Sequence, residues 1–222
     1  MSDLIDTTEM YLKTIYEMEE DGVPPLRARI VERLGHSGPT VSQTVARMER
    51  DGLLVVAGDR RIQLTDRGRE VAREVMLKHR VAERLLLDVI GMPWELVHDE
   101  ACRWEHVMSD QVRARLDVLL KNPLTDPYGN PLPGHESAPL VALPDALEIA
   151  GERVRVRLAR LGEPVQAEPG LLREFLAAGI LPGTDVTLMG ERHGGVIVGG
   201  LNGQVTLNST LAKHVFAESL DG

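Results

Sequence analysis

The sequence predicts three units in one chain. These are an N-terminal winged helix-turn-helix over residues 1–73, an all-helical dimerisation unit over 74–140, and a C-terminal SH3-like small β-barrel over 148–222, with 141–147 as linker. The first rests on residues 26–65, which read as a short helix, a Gly-Pro turn, a helix with a polar outer face and a hairpin. Two long amphipathic stretches between 65 and 120, with few other apolar partners, carry the second. Period-two alternation and frequent glycine beyond residue 147 carry the third.

Taken in order, residues 3–21 form the first predicted helix. Asp3 or Asp6 caps it, Leu4, Met10, Tyr11, Ile15, Tyr16 and Met18 recur near helical spacing, and Gly22-Val23-Pro24-Pro25 ends it. Leu26 to Leu34 is a short second helix stopped at Gly35. Ser37 caps a third, with Pro39 in its first turn. Val41, Val45 and Met48 mark its inner side and leave Thr40, Gln43, Thr44, Arg47 and Arg50 outside. After Asp51-Gly52, two short strands over 53–57 and 61–65 flank Gly58-Asp59-Arg60 as a wing.

Thr65-Asp66 opens a long helix through Val89, which Gly91-Met92-Pro93 breaks; a second long helix runs from Trp94 to about Leu120. A loop spans 122–134, followed by a Pro- and Ala-rich linker over 135–144. Residues 152–159 alternate as a half-buried strand does, Leu171 to Ala178 is a short helix, and further strands lie at 184–189, 195–198 and 204–207.

The net charge of −9 conceals an asymmetry. Residues 1–25 hold seven acidic side chains against Lys13 alone, whereas 26–73 hold ten arginines against six acids. Segmental charge is what a DNA backbone meets, so the helix-turn-helix is predicted to bind duplex DNA despite the acidic whole. The single cysteine excludes an internal disulfide and fits a reducing cytoplasm. The first residues lack a basic-then-apolar leader, and no run approaches about 18 uninterrupted apolar residues, so neither a signal peptide nor a membrane span is expected.

Chemistry concentrates at residues 98–106. On a helix, His98, Cys102, Glu105 and His106 fall within a stripe roughly a quarter-turn wide. Nitrogen, sulfur and oxygen at that spacing suit a divalent transition metal, whereas calcium or magnesium favours oxygen throughout. Met10 is a candidate thioether to complete the set; simple packing is the competing reading. His79 and Glu83 form a second i, i+4 pair, which an antiparallel turn brings toward His98; a Glu83–Arg salt bridge with a surface histidine is the competing reading. No His-Glu-x-x-His, phosphate-binding loop or nucleophile elbow appears. Cys102 with His106 on one buried helix lacks an oxyanion hole and a cleft, so an enzyme, including a hydrolase using that pair, is not expected.

Three segments then carry a family likeness: Asp6 to Leu12, Ser37 to Leu53 with its Ser-Gly-Pro-Thr-Val-Ser-Gln-Thr-Val-Ala-Arg-Met-Glu-Arg core, and Glu100 to Ser109, joined by Tyr128 to Pro131. Through these, residues 1–134 closely resemble the iron-dependent repressor family, the group typified by the diphtheria toxin repressor and the mycobacterial iron-dependent regulator. The remainder resembles that family's SH3-like domain more loosely.

The resemblance implies a Fe²⁺-activated homodimeric repressor that binds palindromic operators of iron-homeostasis genes, with two dimers on one operator as a further expectation. It implies two Fe²⁺ sites per subunit, where Mn²⁺, Co²⁺, Ni²⁺ or Zn²⁺ substitutes in vitro. The primary site would use Met10, Cys102, Glu105 and His106. The ancillary site would use His79, Glu83 and His98 with Glu168; Leu171 stands where the family has a ligating Gln. The family's anion-holding Arg, Ser and Asn correspond to Arg80, Asp126 and Asn130. The recognition helix would be 37–50, with Pro39 and Gln43 facing bases. Ser37, Thr40, Ser42, Arg47 and Arg50, with Arg27 and Arg60 nearby, would contact phosphates. The alternatives are a manganese- or broadly divalent-responsive repressor of the same fold, and a structural dimerisation protein without DNA binding.

Overall fold

The computed structural model describes residues 6–135, 139–151, 153–191 and 193–218. Helix α1 (Thr7–Glu20) starts where Asp6 accepts hydrogen bonds from the Thr8 and Glu9 amides. Helix α2 (Arg27–Leu34) ends at Gly35, whose φ of 65° is the left-handed conformation that glycine adopts without strain. Ser37 caps α3 (Gly38–Arg50) at the Thr40 amide. Strands β1 (Leu54–Val56) and β2 (Ile62–Leu64) pair antiparallel as the wing. Tyr11, Leu12, Ile15, Ile30, Val41, Val45 and Met48 fill the core beneath them. Thr44, expected outside, is instead buried in α3's inner face.

Thr65 caps α4 (Asp66–Arg84), which continues into a π-helical turn over Leu85–Val89. The expected single helix from 94 to 120 is two helices, α5 (Trp94–Trp104) and α6 (Asp110–Leu119). Ser109 is the reason: its hydroxyl accepts from the Val112 amide and starts a new helix. Glu105 and His106 therefore lie just past the end of α5.

Residues 141–147, expected as linker, are ordered structure. Strand β3 (Leu140–Ala142) pairs with the last strand, and α7 (Leu143–Ala150) packs on the sheet through buried Leu143 and Ala146. Short apolar segments flanked by Pro read as linker in sequence, yet a barrel edge offers them a ladder partner.

The remaining elements are β4 (Arg153–Leu161), α8 (Glu163–Gln166), α9 (Pro169–Ala178), β5 (Asp185–Gly190), β6 (Val196–Gly199), β7 (Gln204–Leu207), α10 (Ser209–Ala212) and β8 (Val215–Glu218). The strands form one antiparallel six-stranded sheet in the order β3-β8-β4-β5-β6-β7. This is the SH3-like unit. No helix among the described residues is long and apolar enough to cross a membrane.

The third unit docks on the other two. Trp94 and Tyr128 belong to its buried core, and the Tyr128 hydroxyl donates to the Trp94 carbonyl at 2.8 Å. Arg160 donates to Asp21 at 2.7 Å and to the Glu20 carbonyl at 2.8 Å, and His214 meets Asp21 at 2.7 Å. The C-terminal end of α1 is thus gripped by the barrel.

One close approach fixes the wing against α4. A Cβ on Gly68 would lie 1.8 Å from the Leu53 carbonyl oxygen, whereas one on Gly170 would meet nothing within 4 Å. Gly68→Ala should lower the unfolding free energy of the full chain by about 2 kcal/mol or more, since the obstacle is backbone. Gly170→Ala should be near neutral. Urea unfolding of both variants checks the pair.

Candidate metal centre and nucleic-acid interface

The candidate ligands of α4 (His79, Glu83), α5 (His98, Cys102) and the turn after it (Glu105, His106) meet Lys13 and Glu9 of α1 and Glu163 of α8 in one buried cluster. Glu105 lies at its middle. Its Oε2 is 2.9 Å from Lys13 Nζ and 2.6 Å from His79 Nδ1, while its Oε1 is 3.2 Å from His106 Nε2. His106 turns its Nδ1 to Glu9 on α1, at 2.8 Å. His79 Nε2 reaches Glu83 at 2.8 Å, and Glu83 also meets His98 Nδ1 at 3.2 Å. His98 Nε2 then faces Cys102 Sγ at 3.6 Å and Glu163 at 3.9 Å.

The expected primary and ancillary sets are therefore in contact through the Glu105–His79 bond. Within the primary set, Glu105 touches His106, but Cys102 turns toward His98 and Lys13. Met10 is half-buried on α1 and packs against the N-terminal core. Within the ancillary set, His79, Glu83 and His98 are all joined. Glu168 is not brought to them: it lies exposed at the start of α9. Glu163, five residues earlier, occupies the corresponding place beside His98. His79, His98 and Cys102 each offer a donor atom within 4.8 Å of the others.

Opposite charges this close outweigh the cost of burial. Burial alone would raise the Cys102 thiol, but Lys13, His98 and His79 hold it down to about 5. Burial alone would lower His98; Cys102 and Glu83 hold it up at about 10. Glu105 is kept well below the usual carboxylate range against burial, first by Lys13 and then by His79. Glu17, by contrast, is pushed well above that range by burial and by facing Glu163, with the Lys13 ammonium opposing the shift.

The donor set passes a direct test for a divalent transition metal. It offers imidazole nitrogen, an acidic thiol and carboxylate oxygen together, and Glu83 Oε2 is buried without a hydrogen-bond partner among the described residues. The nearby Arg80, Asp126 and Asn130 are engaged internally. Arg80 pairs with Glu20 and lies 3.7 Å from Asp126, and Asp126 accepts from the Tyr128 and Asn130 amides at 2.8 Å each.

In the first unit, α3 presents Pro39, Thr40, Ser42, Gln43, Arg47 and Arg50 to solvent, with Ser37 at its start. Arg60 stands at the tip of the wing with φ of 68°, and Arg27 begins α2. A helix of this length with a polar face and a basic wing beside it fits a DNA major groove.

Sequence reasoning passed over Glu9, Lys13, Glu17 and Glu163. Glu17 sits one turn after Lys13, and only a basic residue beside Met10 hinted that α1's cluster-facing side is charged.

A family model described as "Iron dependent repressor, N-terminal DNA binding domain" matches residues 3–62, and "Iron dependent repressor, metal binding and dimerisation domain" matches 65–134. A FeoA domain model matches 147–219. The chain is 53% identical to the iron-dependent repressor IdeR of Mycobacterium tuberculosis strain H37Rv, over 99% of this chain and 100% of the relative. It is 51% identical to the diphtheria toxin repressor of Corynebacterium diphtheriae, again over 99% and 100%. Among solved structures, one described as a manganese-dependent transcriptional repressor complex with manganese superposes with a TM-score of 0.75 at 29% identity, covering 96% of this chain and all of that one. ScaR with bound Zn²⁺ gives 0.78 at 26%, covering 97% and 100%.

The thiol offers a direct check on the cluster. In metal-free protein, thiolate absorbance in the ultraviolet, taken against a Cys102→Ser control, should titrate near pH 5. A Cys102 still protonated at pH 7 would contradict the arrangement of Lys13, His79 and His98 around it.

Proposed function

Because the chain belongs to the iron-dependent repressor family, we propose that it is a ferrous-ion-activated homodimeric transcriptional repressor of palindromic operators. The observation that carries this is the location of the cluster. It joins α1, part of the DNA-binding unit, to α4 and α5 of the dimerisation unit through Lys13–Glu105 and Glu9–His106. Whatever changes charge in that cluster changes how the recognition helix is held relative to the dimer axis.

Two ions per subunit fit the donors. Met10, Cys102, Glu105 and His106 would hold one; His79, Glu83 and His98, with Glu163 or Glu168 from the barrel, would hold the other. A bound divalent ion supplies a positive centre that satisfies these buried anions together. The residues do the rest. Cys102 and Glu105 approach from the dimerisation unit, and Met10 approaches from α1. Drawing them together moves the N-terminal turn of α1 against α5. Coupling follows from tighter metal binding in the DNA-competent arrangement than in the other.

A soft thiolate at the centre supports iron over manganese, because hard Mn²⁺ gains least from sulfur. The manganese-dependent relatives keep the divalent alternative in view. Dimerisation has a surface to use: Val89, Ile90, Leu96 and Val107 of the helical unit are large, apolar and exposed. Two dimers on one operator would require operators long enough for both, and sedimentation of the complex reads that stoichiometry. A repressor of this design works by binding and performs no catalysis, in a cytoplasm that keeps Cys102 reduced.

The test is an anaerobic titration of the full chain with Fe²⁺, Mn²⁺, Co²⁺ and Zn²⁺ against duplexes selected from a random pool. Metal-dependent binding by Fe²⁺ is expected. Met10→Ala should need roughly ten- to a hundredfold more Fe²⁺ with the fold intact. Iron dependence identical to that of the parent chain would remove Met10 from the site.

The recognition face makes a separate prediction. Gln43→Ala should cost about 1–3 kcal/mol and relax preference at one base pair. Arg50→Ala should weaken all duplexes alike and reduce the salt slope by about 1. Competition assays at several salt concentrations distinguish the two behaviours.

A further inference from the structure

Lys13 is an unusual occupant of a metal centre. It is only 4% exposed. Its ammonium lies 2.9 Å from Glu105 Oε2, 3.7 Å from Cys102 Sγ and 3.2 Å from His79 Nδ1. Two of these partners belong to the proposed activating site, and the third to its neighbour. An ammonium and a metal ion cannot share the same lone pairs, because both attract anionic donors and repel each other.

The surroundings also offer somewhere for Lys13 to go. Glu17, one helical turn further along α1, has Oε1 3.8 Å from Nζ, and its Oε2 is buried without a hydrogen-bond partner among the described residues. Glu163 of the barrel sits beside Glu17 and carries the charge of Arg33 as well. Nζ already lies within reach of both carboxylates, 2.9 Å from Glu105 and 3.8 Å from Glu17, so a small rotation of the four-carbon stem would carry the ammonium from one to the other.

We propose that Lys13 is a built-in competitor of the activating metal: it holds Cys102 and Glu105, and must transfer to Glu17 before they coordinate an ion. This rests on the metal-activated reading above. Lys13 therefore sets the metal concentration at which the centre fills, and Glu17 lowers that threshold by receiving the displaced charge. The barrel takes part, because Glu163 reaches the receiving position only when the third unit is docked.

The probes are Co²⁺ and Mn²⁺ with the full-length chain under anaerobic conditions. Affinity is read by calorimetry, and thiolate coordination by the sulfur-to-cobalt absorption band. Lys13→Met should bind both ions at least about tenfold more tightly, about 1.4 kcal/mol, and show a larger metal-induced rise in melting temperature. Glu17→Gln should weaken binding by a similar factor when Lys13 is present and leave it unchanged in the Lys13→Met background.

That dependence separates competition from a general charge effect. An equal loss from Glu17→Gln in both backgrounds would overturn the transfer, and an affinity for Lys13→Met equal to the parent's would overturn the competition. Both results leave the metal-activated reading standing, because the parent chain still binds. A parent chain that takes up neither ion would overturn that reading and the proposal with it. If Lys13→Met melts below the working temperature, Lys13→Gln gives the same comparison with a polar stem.

Discussion

The Glu105 carboxylate is the contact on which the arrangement of the chain depends. It is buried, and it accepts from Lys13 of α1 and His79 of α4 while leaning on His106 beside it. A charge taken out of water costs several kcal/mol unless close partners compensate. These elements are therefore held at one separation by the need to keep that carboxylate paired. Remove its positive partners and the cluster of Glu105, Glu83 and Cys102 becomes repulsive. In the proposed filled state, a divalent ion would satisfy the same anions without the ammonium.

The two ends of helix α1 are held differently. Its C-terminal end is fixed: Glu20 pairs with Arg80, and Asp21 receives both Arg160 and His214. Its first two turns carry Glu9 and Lys13, which meet His106 and Glu105, and Met10, which packs on the N-terminal core. On the metal-activated reading proposed above, a helix anchored at one end and charged at the other would act as a lever, its anchor shared by α4 and the barrel. The SH3-like unit, docked through Tyr128, Trp94 and Asn130, does more than tether. Its Glu163 enters the cluster, so the docked state and the filled state of the centre are linked.

Much of the fold could be read directly from residues whose effect is local. Asp6, Ser37 and Thr65 cap the helices expected of them, and the wing pairs around Gly58-Asp59-Arg60 as composition indicates. Features decided by distant partners were not legible. Ser109 splits the helix after Trp104 because its cap competes with an otherwise continuous apolar pattern. Residues 140–150 look like linker until a barrel edge pairs with them. Lys13 reads as a solvated cation on an acidic helix; burial comes from α4, α5 and α8, none of which is adjacent in sequence. Glu163 was overlooked for the same reason, since nothing local separates it from Glu168, and only the docking of α8 selects between them.

These distinctions matter for how such a centre can be tuned. A ligand shifts a two-state equilibrium only by its difference in affinity for the two states, and a full switch needs roughly 5.5 kcal/mol of difference. Coordinating residues create that difference but also raise affinity itself, which would keep the protein active at any metal level. An internal competitor subtracts from affinity without touching the DNA-binding face: α3 and the wing share no hydrogen bond with Lys13 among those described. On the proposed reading, threshold and operator preference would be set by separate residues, Lys13 and Glu17 for the first, Pro39 and Gln43 for the second. On that reading, either could change without redesign of the other, since among the described residues no hydrogen bond joins Lys13 to α3 or the wing.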